Sequence, residues 1–153
     1  MIDKNQIRIA LIDDHEGLRI SLQRFLEYYN FTVVMQANNG QTALELLKTQ
    51  EAQPDICILD ISMPVMDGFQ TAKELAEKYP KIKILVFSTY NDKKSIEEMI
   101  NLGVKGYIVK SSDSNELRKA VLKLYDGKYY FSESINKTAH SVLAGNSNFP
   151  DAI

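Results

Sequence analysis

Five short apolar runs alternate with helical patterns along most of the chain, and this alternation limits the fold more than any other feature. Three of the runs, IRIALI, DICILD and IKILVFS, are apolar almost without interruption. Strands have this character when both faces of their sheet are covered. Each run is followed by a segment with apolar residues at helical spacing. The pattern therefore predicts an α/β fold with a five-stranded parallel sheet that carries helices on both faces.

Composition narrows the class of protein. The 153 residues suit one domain with a sizeable core. Lys and Arg are scattered and the net charge is −2, so we expect no nucleic acid bound by this domain itself. The N-terminus lacks a signal pattern and no apolar run reaches membrane-spanning length. The single Cys57 lies in an apolar run and suits a reducing compartment, so we expect a cytoplasmic protein without a membrane partner.

The helical segments predict which residues face the sheet. We expect the third helix to bury a stripe formed by Phe69, Ala72, Ala76 and Tyr79. The pattern fades from about Ser132. One weak helix and then a polar end are expected there. We therefore assign residues 1–131 to one domain and residues 132–153 to a C-terminal tail or the start of a linker.

Polar residues stand at the carboxyl ends of four predicted strands. Strand one ends in Asp13 and Asp14, strand three in Asp60, strand four in Ser88 and strand five in Lys110. Ligands bind at this edge in doubly wound sheets. If strands one and three are neighbours, three carboxylates converge and raise one another's pKa values. A bound Mg²⁺ would remove that conflict, since it prefers a few carboxylate oxygens and keeps several waters.

This arrangement predicts phosphoryl transfer to Asp60. A carboxylate can attack phosphorus and hold the group as an aspartyl phosphate. The reaction needs little more than alignment and neutralisation of the oxygen charges, which Mg²⁺ and Lys110 would supply. The hydroxyl of Ser88 would add a hydrogen bond, and Ser62 is placed to offer its backbone carbonyl to the metal.

Each of these residues also has an ordinary interpretation. An Asp after a strand is most often a turn residue, and an Asp-Asp pair before a helix is most often an N-cap. A Ser after a strand usually makes a local hydrogen bond, and a Lys there is usually a solvated surface charge. The joint occurrence at four strand ends, in a fold that brings those ends together, favours the phosphoryl-transfer site.

The motifs LIDDH, ILDISMPVMDG, VFST and GYIVKSS, in this order and spacing, resemble the receiver domain of two-component response regulators from Ile7 to Phe131. The resemblance implies a flavodoxin-like (CheY-like) sheet of order 2-1-3-4-5. DDHEGLR and the long segment beginning GYIVKSSDSNELRK resemble the LuxR/NarL-type subgroup, which normally continues into a helix-turn-helix DNA-binding domain. No such domain is expected within the residues after Phe131, so the chain is either an excised receiver domain or a stand-alone receiver.

The resemblance also implies a role for each residue of the predicted site. Asp60 is the phosphoacceptor. The implied Mg²⁺ ligands are Asp13, Asp14, Asp60 and the backbone carbonyl of Ser62. The implied phosphoryl-binding residues are Ser88 and Lys110, and the implied switch residues are Ser88 and Tyr107. On its own, Tyr107 would be interpreted as an aromatic residue in a strand near the sheet edge. Ser111 stands where many receiver domains have a proline after the lysine, so we expect no cis bond there.

We expect a phosphorylation-dependent signalling switch, not an enzyme. Its expected partners are a sensor histidine kinase and, on activation, a second copy of the chain, and its expected output is transcription. One alternative is a stand-alone receiver that acts through protein–protein interaction. The other is a phosphohydrolase of the haloacid-dehalogenase kind. That class carries its nucleophile in an Asp-x-Asp pattern after strand one, where this chain has Asp13-Asp14.

Overall fold

The structure, a computed structural model, describes residues 7–111 and 113–145. The polar end expected at residues 146–153 lies outside this range, as do residues 1–6 of the expected domain. The elements run in the order β1 (Arg8–Ile12), α1 (Glu16–Tyr28), β2 (Thr32–Ala37), α2 (Gly40–Thr49), β3 (Ile56–Leu59), α3 (Gly68–Lys78), β4 (Lys83–Ser88), α4 (Lys93–Asn101), β5 (Gly106–Val109), α5 (Ser114–Tyr125), β6 (Tyr130–Phe131) and α6 (Glu133–Ala144).

The described residues form one parallel sheet of order β2-β1-β3-β4-β5-β6. The α/β class and the predicted order of the first five strands are confirmed. The expected number of strands is one too small, because Tyr130 and Phe131 pair with β5 as a sixth strand. In the centre of the sheet, Ile12 of β1 is in register with Leu59 of β3. The residues that follow these two strands therefore emerge side by side.

Both faces of the sheet are covered, as the uninterrupted apolar strands predict. Within β1, Ile9 and Leu11 point into the core shared with α1 and α5. Ala10 and Ile12 point into the core shared with α2, α3, α4 and α6. Because side chains alternate along a strand, a strand between two such cores is apolar at every position.

Helix α3 buries most of the predicted stripe, with Phe69 and Tyr79 half-buried against the core, and differs from it at one position. Ala72 is buried as expected, but Ala76 is exposed and Leu75 is buried in its place. The helix is set by its start, where Gly68 lies against the backbone of Asp60. A Cβ on Gly68 would lie 2.3 Å from the carbonyl oxygen of Asp60, which no side chain tolerates. Gly68, Ala72 and Leu75 are spaced four and then three residues apart and share the buried face of the helix.

The weak helix expected in the C-terminal segment is present as α6. Its Ile135, Ala139 and Leu143 are spaced four residues apart and are all buried. They join the core that contains α4 and Tyr107. The segment after Ser132 therefore packs against α4 and the edge strand β6 as far as Leu143. Among the described residues, no helix has both the length and the apolar character needed to cross a bilayer.

Candidate functional site

Three carboxylates meet at the carboxyl edge of the sheet. Asp13 and Asp14 follow β1, and Asp60 follows β3, where its backbone N–H donates to the carbonyl of Ile12 at 2.9 Å. One carboxylate oxygen of each aspartate lies within 4.8 Å of the others. Asp13 and Asp60 are only 4% and 6% exposed, whereas Asp14 is exposed. The cluster therefore has two buried carboxylates and a third at its mouth.

Lys110 is the positive charge that faces this cluster. Its Nζ lies 3.0 Å from Asp13 Oδ2 and 3.4 Å from Asp60 Oδ1. The side chain is only 20% exposed, so the interpretation of Lys110 as a solvated surface charge is wrong. The strand order explains the contact, since β5 ends at the same edge as β1 and β3.

The positive charge at the site does not balance the negative charge. Burial raises the pKa of the Asp60 carboxyl, and the neighbouring charge of Asp13 raises it further. Lys110 and the hydrogen bond from the Ile61 N–H to Asp60 Oδ1, at 2.9 Å, act in the opposite direction without cancelling the rise. Asp60 is therefore a carboxylate whose charge a bound cation would stabilise.

The aspartate pair does not act as the N-cap of α1. His15 occupies the N-cap position, and no side chain caps this helix end. Asp13 Oδ1 accepts a hydrogen bond from the His15 N–H at 2.9 Å, which fixes the carboxylate two residues before the N-cap residue. The guanidinium of Arg19, one turn into α1, donates to the carbonyl of Asp13. These bonds hold Asp13 with its second oxygen toward Lys110.

The loop between β3 and α3 is shaped around Asp60. The N–H of Gly68 donates to the carbonyl of Ile61 at 2.7 Å, so the helix begins directly beneath the site. Ser62 is exposed at the start of this loop, and its carbonyl as a metal ligand stays a prediction. Val65 has φ 67°, an unfavourable conformation for a β-branched residue, at an exposed position of the same loop.

Ser88 and Tyr107 are connected through the backbone of one residue. Ser88 is buried at the end of β4, and its Oγ accepts a hydrogen bond from the Tyr90 N–H at 3.1 Å. The Tyr107 hydroxyl donates to the Tyr90 carbonyl at 2.8 Å. Tyr107 is fully buried, and burial raises the pKa of its hydroxyl, which therefore remains a donor at physiological pH. With β6 beside it, Tyr107 does not lie on an edge strand.

The sequence reasoning missed three residues of the site. Arg19 and Gly68 carry no separate chemical signal, because an Arg in a helix and a Gly before one are common. Tyr90 contributes its backbone N–H and carbonyl, which every non-proline residue possesses. These groups belong to the site only because the fold places them there, and a single sequence does not show that placement.

The donor set fits the predicted metal. Carboxylate oxygens are the ligands that Mg²⁺ prefers, and Asp13, Asp14 and Asp60 place three of them on one side of a potential ion. The excess negative charge at Asp60 favours a divalent cation in the same way. A bound cation would share the carboxylates of Asp13 and Asp60 with Lys110.

Comparisons with known proteins agree with this geometry. A family described as "Response regulator receiver domain" matches residues 9–122. The chain is 31% identical over 143 residues to the transcriptional regulatory protein DegU of Brevibacillus brevis, which covers 93% of this chain and 58% of the relative. It is 31% identical over 147 residues to the nitrate/nitrite response regulator protein NarL of Escherichia coli K12, which covers 95% of this chain and 67% of the relative.

A solved structure shows the same similarity in three dimensions. A LuxR-family two-component response regulator from Aurantimonas sp. SI85-9A1 superimposes with a TM-score of 0.81 at 27% identity. The match covers 88% of this chain and 95% of that one. The chain thus spans less than two thirds of the length of the DegU relative and nearly all of the length of this solved chain.

Proposed function

Because the chain belongs to the response regulator receiver domain family, in its LuxR/NarL-type subgroup, we propose that it is a phosphorylation-dependent switch with Asp60 as its phosphoacceptor. The observation that carries this proposal is the contact of Lys110 with both Asp13 and Asp60 at 3.0 and 3.4 Å. This contact joins residues from three separate strand ends. Receiver domains generally bind Mg²⁺ in such an acidic pocket, and we propose the same here.

The chemistry follows from the positions of the side chains. An oxygen of Asp60 attacks the phosphorus of a phosphodonor, and the bond from phosphorus to its leaving group breaks as the aspartyl phosphate forms. Lys110 stays within reach of the transferred group and offsets its charge. The Ser88 hydroxyl donates to a phosphoryl oxygen. A Mg²⁺ held by Asp13, Asp14, Asp60 and the Ser62 carbonyl would neutralise the remaining oxygens.

The proposed switch runs through the backbone of Tyr90. If the Ser88 hydroxyl turns to the phosphoryl group, it changes its bond with the Tyr90 N–H. The Tyr90 carbonyl is the acceptor for the buried Tyr107 hydroxyl. A shift of Tyr90 therefore reaches Tyr107, and we propose that phosphorylation changes the population in which this ring is buried and bonded to the Tyr90 carbonyl.

The partners follow from the family. Receiver domains of this kind interact with histidine kinases and form dimers, and we propose a sensor histidine kinase and a second copy of this chain as partners. We further propose a cytoplasmic, non-enzymatic regulator of transcription. In this proposal residues 1–131 are the receiver domain and residues 132–153 begin the connection to an output domain. A DNA-binding output domain would lie beyond this chain, and we propose no nucleic-acid contact for the receiver itself, since its Lys and Arg are scattered.

The test is phosphorylation by a small donor. The protein is incubated with acetyl phosphate, with Mg²⁺ or with EDTA, and its intact mass is measured. We expect one phosphoryl adduct in Mg²⁺, and none in EDTA or in Asp60→Asn. Asp67→Asn is the matched control, because Asp67 is an exposed carboxylate in the same loop that caps α3.

Two outcomes would contradict the proposal. A full adduct on Asp60→Asn would place the phosphoryl group elsewhere. Sustained release of phosphate from small phosphate esters, over many turnovers, would indicate a phosphohydrolase instead of a switch.

A further inference from the structure

Ser132 joins the C-terminal segment to the strand that carries Lys110. It lies between β6 and α6 and is fully buried. Its N–H donates to the carbonyl of Tyr107 at 3.0 Å. Its Oγ accepts a hydrogen bond from the N–H of Val109 at 2.8 Å. Two bonds from one residue therefore hold the end of β5.

The hydroxyl takes a place that a backbone carbonyl would fill in a longer strand. In a regular parallel ladder, the Val109 N–H would donate to the carbonyl of Ser132. That carbonyl instead accepts from the Ile135 N–H at 3.0 Å, because α6 begins at Glu133. The side chain replaces the carbonyl and extends the sheet by one bond after the backbone has turned into the helix.

The Ser132 hydroxyl does not have the usual role of an N-cap side chain. A serine at an N-cap position normally accepts from the first turn of its own helix. Ser132 is the N-cap residue of α6, yet no side-chain bond caps this helix. Its oxygen serves β5 instead. The Val109 N–H is buried, and without this acceptor it would lose its partner.

The bond lies one residue from Lys110. On the other side of the strand, the Lys110 N–H donates to the carbonyl of Ser88 at 2.8 Å. The end of β5 is therefore held between Ser88 on β4 and Ser132 at the start of α6. The Lys110 Nζ lies 3.0 Å from Asp13 and 3.4 Å from Asp60, and the position of the Lys110 backbone sets where this ammonium group can stand.

We propose that Ser132 is a positioning residue for Lys110, and that the packing of α6 on α4 thereby influences phosphoryl transfer to Asp60. This inference rests on the proposed function. The apolar face of α6, formed by Ile135, Ala139 and Leu143, holds Ser132 in place. Because coupling is reciprocal, a change in the position of Lys110 on phosphorylation also changes how firmly α6 is held.

The test measures phosphorylation by acetyl phosphate at varied Mg²⁺. Ser132→Ala removes the acceptor, and we expect the maximal rate to fall about tenfold, since small displacements of a catalytic group are costly. The half-saturating Mg²⁺ concentration should stay within about twofold, because the carboxylates on β1 and β3 do not move. General loosening of the domain would change both quantities. Ser132→Thr keeps the hydroxyl and should restore the rate.

Ser134→Ala is the matched control, because Ser134 is an exposed serine two residues away. It should behave as the unchanged protein. A normal maximal rate in Ser132→Ala would overturn the proposal. If circular dichroism shows that Ser132→Ala does not fold, Ser132→Cys, a weak acceptor, takes its place and should be intermediate.

A second measurement separates this inference from the proposed function. Without any phosphodonor, NMR hydrogen exchange of the Val109 amide and the signals of the Lys110 side chain are compared in the same variants. Faster exchange and shifted Lys110 signals in Ser132→Ala support the positioning role even if Asp60 accepts no phosphoryl group. Unchanged Lys110 signals overturn it even if Asp60 does.

Discussion

The surroundings of Asp60 stabilise its negative charge poorly. Burial and the nearby charge of Asp13 raise its pKa, and Lys110 compensates only in part. Such a group lowers the stability of the free protein and raises its affinity for a cation. Functional sites often hold groups in environments that a purely structural site would avoid. At the scale of the residue, the site favours ligand binding and lowers the stability of the unliganded protein.

A stability prediction follows from the raised pKa of Asp60. In EDTA at pH 7, the free energy of unfolding of Asp60→Asn should exceed that of the unchanged protein by about 1 kcal/mol. Urea unfolding measures this difference. The advantage should shrink as the pH falls toward 4. The pKa of this carboxyl is higher in the folded protein than in the unfolded chain. Its protonated form therefore adds stability that is complete below the ordinary pKa of aspartate and is lost as the pH rises through the pKa of the folded protein.

Mg²⁺ and a control variant test the cause. Mg²⁺ should stabilise the unchanged protein more than Asp60→Asn, since it binds the folded state through this carboxylate. Asp67→Asn makes the same change at an exposed helix cap, where Asn and Asp cap about equally well, and should leave stability nearly unchanged. An Asp60→Asn variant less stable than the unchanged protein in EDTA at pH 7 would show that Lys110 fully compensates the charge.

The sequence predicted the side chains of the site wherever it predicted the end of a strand. Asp13, Asp14, Asp60 and Lys110 follow apolar runs that are visible in the sequence, and a parallel sheet brings their ends to one edge. The depth of Lys110 was not predictable, because it depends on two bonds to carboxylates from other strands. The backbone of Tyr90 was not predictable at all, since its amide and carbonyl carry no residue-specific signal.

At the scale of the element, β6 and α6 change the expected architecture. Two residues, Tyr130 and Phe131, are too few to show an alternating pattern, so the sequence did not indicate a strand. Their pairing with β5 depends on the turn after α5 that returns the chain to the sheet edge. The α6 stripe is readable only as a weak helix, and the sequence does not specify the surface that it covers.

Core truncation in α6 tests whether this helix belongs to the cooperative fold. Leu143 is fully buried near the end of α6, and Leu143→Ala should lower the free energy of unfolding by about 2 kcal/mol. Leu46→Ala is the matched control, because the same side chain is 37% exposed on α2. It should cost less than about 1 kcal/mol. Urea unfolding followed by circular dichroism gives both values.

The comparison of these two leucines has a clear opposite outcome. If Leu143→Ala costs no more than Leu46→Ala, then α6 opens without the rest of the domain. Its packing would in that case not hold Ser132 firmly enough to position Lys110.

At the scale of the whole molecule, the phosphoryl site and the C-terminal segment lie on opposite ends of one connected path. The path leads from Ser88 through the backbone of Tyr90 to the hydroxyl of Tyr107. The carbonyl of Tyr107 then accepts from Ser132 at the start of α6. The sequence predicted the Ser88 end of this path, which lies in the motif VFST, whereas the pattern fades at Ser132. It did not predict the connection, which consists of backbone groups brought together by the strand order.

The last prediction concerns the response of this path to a phosphoryl mimic. On addition of beryllofluoride and Mg²⁺, NMR shift changes should extend from Ser88 through Tyr107 into α4 and α6. Coupling between sites is typically about 1–3 kcal/mol, so we expect a partial shift between two populations and no new fold. Ser88→Ala should still bind the mimic at Asp60, because the carboxylates and Lys110 remain, but its changes should stop near the site. Thr89→Ala, an exposed neighbour, should respond as the unchanged protein does. If the changes in the unchanged protein stay around Asp60, as in Ser88→Ala, phosphorylation does not act through Tyr107.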